Sequence, residues 1–103
     1  MDSLTRREEG FERAYAHQED VRFRARARRN RKLGRWAGEA RGLVGPALAD
    51  YEAAFVARSL EAGDDEALVA ELVAALPDIS EHRIRRRLDE FAQEAMAEIQ
   101  AGR

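Results

Sequence analysis

The first 45 residues contain no proline, and the only two prolines, Pro46 and Pro77, divide the remainder of the chain. Proline breaks a helix wherever it falls beyond the first turn, so this spacing decides where helices can run. From Ser3 to Arg41 only three glycines, at 10, 34 and 38, oppose a single long helix. No segment alternates apolar and polar residues with the period of two that a half-buried strand requires. Ala, Glu, Arg and Leu dominate, and 37% of residues are charged, a composition that favours long helices with solvated charged faces. The expected fold is therefore all-α: a four-helix bundle with a long N-terminal helix and a mobile N-terminal segment.

The helices can be placed from their punctuation. Ser3 or Thr5 can cap the first, with Glu8 and Glu9 near its positive end. It runs either unbroken to Arg41 or as a frayed stretch leading into a helix near Ala16. Gly10 costs about 1 kcal/mol against Ala in a helix interior, so residues 1–18 are expected to be marginally helical when free. Phe23, Ala27 and Trp36 are the expected apolar stripe of the second half. Gly42–Gly45 is a break, and Pro46 suits the first position of a second helix, 46–61, with Leu48, Tyr51, Phe55 and either Ser59 or Leu60 inward. Gly63 stops it. The acidic run 64–66 starts a third helix, about 65–76, burying Leu68, Leu72, Val73 and Leu76. Ser80 caps a fourth, about 81–101, whose Ile84, Leu88, Phe91, Ala95 and Ile99 form the clearest amphipathic stripe in the chain.

Charge is unevenly divided. Residues 1–41 hold 12 Lys/Arg against 7 Asp/Glu, a net of +5, and residues 42–103 hold 6 against 13, a net of −7. Such a molecule is dipolar, and a partner meets mainly one end. The run 22–35, RFRARARRNRKLGR, taken alone resembles an arginine-rich nucleic-acid helix. At helical spacing, however, its charges surround the helix instead of forming one face, and no aromatic stacking platform accompanies them. The alternative is a helix whose charges pair with the acidic remainder.

Catalytic and metal chemistry find no support. The chain has no cysteine and two histidines, His17 and His82. Only His17 has an acid at ligand spacing, Asp20, and one pair is a weak signal. The glycines 34, 38, 42 and 45 follow no strand and precede no Gly-Lys-Ser/Thr, so they form no phosphate loop; close helix packing and a helix end account for them. The expectation is a binding protein without enzymatic activity, metal or resident cofactor. No apolar stretch approaches the roughly 20 residues that span a bilayer, and MDSLTRREEG lacks the apolar core of a secretory signal. A cytoplasmic protein without direct membrane insertion is expected.

The blocks R-x-x-G-F-E-R-A-Y-A-H-x-E and F-R-A-R-A-R-R-N-R-K-L-G-R-W-A resemble the signature of the alphaproteobacterial ATP synthase inhibitor family known as the zeta subunit. The likeness rests on Phe11, Glu12, Tyr15, Ala16, His17, Glu19, Phe23, Ala25, Ala27, Arg28, Arg29, Asn30, Leu33, Gly34, Trp36 and Ala37. It continues through Glu61–Glu66 and the Ser80–Ile84 helix start, covering nearly the whole chain. Gly10, Ala14 and Gln18 depart from the family pattern, and Gly10 should weaken the first helix.

The resemblance implies a four-helix fold and binding to the catalytic head of the F-type ATP synthase, with its alpha, beta and gamma subunits as partners and ATP hydrolysis blocked. It implies a protein peripheral to the inner membrane through that enzyme. The chain would then divide into a mobile inhibitory segment, 1–18, helical once inserted between catalytic subunits, and a four-helix domain, 19–103. On that reading Phe11 and Tyr15 are apolar anchors, Arg6, Arg7, Glu8, Glu12 and Arg13 make charged contacts, and His17 belongs to the same surface. Two other readings remain: a nucleic-acid-binding helix using 22–35, and a nucleotide-sensing domain holding ATP or ADP near Trp36 through Arg28, Arg29 or Arg31.

Overall fold

A computed structural model describes the backbone of residues 3–103 and the side chains of residues 6–103. Its four helices are α1 (Ser3–Ala40), α2 (Gly45–Ala62), α3 (Asp65–Ala75) and α4 (Glu81–Gln100), and the described residues contain no strand. The boundaries follow local chemistry. Asp64 caps α3 by accepting from the Ala67 N–H at 2.8 Å. Ser80 caps α4 by accepting from the Arg83 N–H at 3.2 Å. Helix α1 ends in a Schellman motif: the Leu43 N–H reaches the Gly38 carbonyl at 3.0 Å and the Gly42 N–H the Glu39 carbonyl at 2.9 Å. That closure puts Gly42 at φ +81°, where a side chain is strained. The capping expected at Ser3 or Thr5 falls on side chains outside the described residues.

The 38 residues of α1 form one unbroken helix, about 57 Å long at 1.5 Å per residue. This accounts for most of the molecule's 62 Å long axis. The helix begins at Ser3, so Glu8 and Glu9 lie beyond the first turn, where an acid gains little from the helix end. Only its C-terminal half is docked. There α1 packs against α2 and α4, and α3 closes the bundle against α4 and α2.

Small residues determine which face of α1 docks. A Cβ on Gly34 would lie 2.9 Å from Phe55 Cδ1, and one on Gly38 would lie 2.6 Å from Leu48 Cδ1. The bulk of α2 thus sits in a recess that any larger side chain would fill. Leu33 and Ala37, both fully buried, meet Phe55, Leu68, Val69, Leu72, Leu76, Ile84 and Leu88 in one core. The polar end of the α1–α2 seam is satisfied: buried Asn30 donates to Ser59 Oγ at 2.9 Å, and Ser59 donates to the Val56 carbonyl at 2.8 Å.

Two expectations about burial need correction. Phe23 is 59% exposed and takes no part in the core; the docked stripe of α1 is Asn30, Leu33, Gly34, Ala37 and Gly38. Phe23 shares a face with Asn30 and Gly34, seven and eleven residues earlier on a 3.6-residue repeat, but nothing covers that end of the face. Val73 is exposed and Val69 is buried in its place, because α3 presents Leu68, Val69 and Leu72 inward.

Candidate partner-binding helix

The first buried residue of α1 is Ala25, and every residue from Arg6 to Asp20 is exposed. The stretch from Ser3 to Asp20 therefore projects about 27 Å beyond its support. Its described interactions are local: Arg13 Nε donates to the Glu9 carbonyl at 3.3 Å, and Glu19 and Asp20 pair with Arg22 and Arg24 at 3.1 and 3.7 Å. Exposed pairs of this kind contribute at most about 1 kcal/mol each. Residues 6–20 are thus a solvated single helix extended from a docked base.

Helical geometry sorts the candidate residues. At 100° per residue, Arg7, Glu8, Phe11 and Tyr15 share one face. Phe11 is 79% and Tyr15 67% exposed, large areas for aromatic rings that no other described residue covers. Arg6, Arg13 and His17 gather on the opposite face, interleaved with Glu9 and Asp20. Glu12 lies between the two. The projecting helix has an apolar side and a charged side, and could be gripped from both.

The arginine run divides differently. Arg28 donates to Glu98 at 3.3 Å and to the Arg103 carbonyl at 2.7 Å, which ties α1 to the end of α4. Arg29, only 12% exposed, makes a bidentate pair with Asp65 at 3.2 and 2.9 Å, which ties α1 to the start of α3. Lys32 bridges Glu94 and Glu98 at 2.9 and 2.8 Å. Those hydrogen bonds, the Glu98 one foremost, raise the Lys32 ammonium above its ordinary pKa, and Lys32 in turn holds the Glu98 carboxyl below the usual range. Arg31 is exposed and has no ion pair among the described residues. Arg28, Arg29 and Arg31 therefore point in three directions. They do not converge on Trp36, which packs instead beneath Arg87 of α4, 5.8 Å from the ring centre.

Helix α3 is held by an arginine from each of the others. Besides Arg29 from α1, Arg58 of α2 meets Glu71 at 2.7 Å, and Arg85 of α4 forks onto Glu66 at 3.0 and 2.9 Å. Arg85 keeps the Glu66 carboxyl below its ordinary pKa. Asp65 and Glu66 serve twice, since acids in a first turn also favour the helix end. None of these cross-helix partners was evident in the sequence; Arg87 and Phe91 beside Trp36 were likewise missed, because their proximity exists only after α4 packs on α1.

Among the described residues no group of three or more His, Cys, Asp or Glu could hold a metal ion, and no helix is long and apolar enough to cross a membrane. The sequence model of the family described as ATPase inhibitor subunit zeta matches residues 1–98. No curated protein and no solved structure matches the chain.

Proposed function

The chain belongs to the ATPase inhibitor subunit zeta family, whose members regulate and do not catalyse, and on that premise we propose that it blocks ATP hydrolysis by the F-type ATP synthase by inserting the projecting half of α1 between catalytic subunits. The observation that carries this reading is the unsupported helix itself, about 27 Å of it, with exposed Phe11 and Tyr15 on one side and Arg6, Arg13 and His17 on the other. A free helix bearing two unpartnered aromatic rings is maintained against solvent for something outside the fold.

The mechanism is steric. Hydrolysis requires a catalytic interface to close around its nucleotide, and a helix roughly 10–12 Å across lodged in the cleft prevents closure. Phe11 and Tyr15 supply apolar anchoring, while Arg7, Glu8 and the charged face set orientation and encounter rate. The docked half, with its charges paired to α3 and α4, serves as a rigid handle. The inhibitor contributes no reacting group. The alpha, beta and gamma subunits of the catalytic head are the proposed partners, met by a peripheral cytoplasmic protein.

The test adds the purified chain to the isolated catalytic head and follows ATP hydrolysis. Inhibition should saturate with concentration. Removing residues 1–18 should abolish it while the thermal unfolding transition stays in place, since the first buried side chain is Ala25. Undiminished hydrolysis with no complex formed would sink the proposal.

A further inference from the structure

Beside the seam between α1 and α4 lies a groove of about 480 Å³, lined by Lys32, Arg35, Trp36, Glu39, Arg87 and Phe91. Its floor is aromatic, with Trp36 and Phe91 both half-buried. The Arg87 guanidinium lies over both rings, 5.8 Å from the Trp36 centre and 5.6 Å from the Phe91 centre. Two cation–π contacts hold that fork in place, yet its one described hydrogen bond is a long one, 3.4 Å to Glu90. Most of its five N–H donors are unused.

The charge around the fork is positive. Arg83, Arg86 and Arg87 share an adjoining groove with one carboxylate, Glu90, and with His82. Glu90 is divided between Arg86 at 3.5 Å and Arg87 at 3.4 Å, and Arg83 has no ion pair among the described residues. This cationic surplus stands in the stretch 42–103, which is net −7 even with these arginines counted. The Lys32 ammonium is neutralised by Glu94 and Glu98, so Arg87 and its neighbours carry the site's charge.

The groove is built partly on the same helix as the projecting half, since Lys32, Arg35, Trp36 and Glu39 belong to α1. Trp36 follows Phe11 by 25 residues, which on an ideal helix is about 37 Å along the axis and roughly 20° around it. Between them the Phe11–Tyr15 face turns into the bundle, where Arg29 is locked onto Asp65 and Leu33 is fully buried, so a partner reaches Trp36 and Arg87 by passing around the bundle. We propose that this groove is a second docking point for the inhibited ATPase and takes an acidic segment of it, with a carboxylate on the Arg87 fork and an apolar side chain against Trp36 and Phe91. The idea rests on the inhibitor reading above and extends it from one contact to two. Two contacts on one rigid helix bind more tightly than either alone, because the second forms at high effective concentration. Arg87 thus governs affinity, while Phe11 and Tyr15 govern inhibition.

The single tryptophan makes the test specific. The full chain is prepared with 5-fluorotryptophan, so that one 19F resonance reports on the groove alone, and is titrated with the isolated catalytic head. The resonance should shift on binding. Arg87→Glu should raise the concentration needed for half-inhibition about tenfold, as loss of a central anchor does, and leave inhibition at saturation intact. Phe11→Ala with Tyr15→Ala should lose inhibition but keep the 19F shift with the bound head. A bound, inhibited head that leaves the resonance unmoved overturns the proposal, as does Arg87→Glu binding like the parent; the inhibitor reading survives both results. A shift produced by dilution of the free protein, or by Phe11→Ala with Tyr15→Ala in the absence of the head, also overturns it, assigning the groove to a second copy or to the chain's own N-terminal half. Failure of the parent chain to bind or inhibit refutes the inhibitor reading itself, and the groove proposal with it.

Discussion

Replacing Gly10 by alanine separates helix formation from everything else in this molecule. Nothing lies within 4 Å of the Cβ that alanine would add, and Gly10 has ordinary helical backbone. No contact or strain therefore offsets the difference in helix propensity, which is about 1 kcal/mol. The nucleation cost of an isolated helix is already met, because residues 25–38 are docked and the projecting half needs only to propagate. Each position near the free end is then close to balanced, and a gain of about 1 kcal/mol shifts the helical population beyond residue 10 by about fivefold. Backbone amide exchange of residues 6–14 should slow by up to that factor in Gly10→Ala, with residues 30–38 unchanged. If the segment inhibits as a helix, half-inhibition of ATP hydrolysis should need up to about fivefold less protein, and the melting temperature of the bundle should not move. Slower exchange accompanied by weaker inhibition would overturn this expectation, since it would mean that position 10 requires a bare backbone against the partner.

Gly34→Ala should behave in the opposite way. The same propensity gain is outweighed by overpacking of about 1–3 kcal/mol against fully buried Phe55, and a raised melting temperature would contradict the recess described for α2. Ser59→Ala leaves the buried Asn30 amide without its acceptor and should destabilise the bundle by about 1–3 kcal/mol in chemical denaturation; an unchanged midpoint would show that water replaces the hydroxyl. The Glu98 carboxyl is lowered in the folded state by Lys32 and then Arg28, so its stabilisation is present above its unfolded pKa near 4.5 and disappears as pH falls through the lower folded value. Glu98→Gln should therefore lower the melting temperature at pH 7 and match the parent in strong acid. A gap that persists unchanged below the carboxylate range would assign the effect to packing.

The helix boundaries were legible because each is set by one or two neighbouring residues. Gly63 with Asp64, Pro77 and Ser80 act over a single turn, and α2, α3 and α4 begin and end within a residue or two of where those signals put them. The docked face of α1 was legible only in part, through the glycines at 34 and 38 read as close helix packing. Hydropathy favours Phe23, yet Phe23 stays in solvent while two glycines and an asparagine are covered. The reason is steric: Phe55 and Leu48 need a recess, and recesses are made by small residues that hydropathy ranks low. The arginine run carried a similar ambiguity. Composition cannot distinguish Arg29, locked onto Asp65 36 residues later, from Arg31, which is exposed two residues along. The candidate site was read from the resemblance carried by Phe11, Glu12, Tyr15 and His17, and the structure leaves those side chains in solvent on the projecting half of α1.

The pairing of charges explains how a long projecting helix can sit on a firm base in so short a chain. Helix α3 has 11 residues, close to the length at which isolated helices fail in water, and arginines from α1, α2 and α4 each hold it by a carboxylate. Singly such pairs count for little where they are exposed, but Arg29 is largely buried and bidentate, which makes its removal the costly one. Arg28, Arg29 and Lys32 of α1 are therefore committed inward, to α3 and α4. From Asp20 back to Arg6 every side chain of the same helix is exposed. Substitutions of Arg28, Arg29 or Lys32 should shift stability, while those from Arg6 to Tyr15 should shift only what the helix does to its partner.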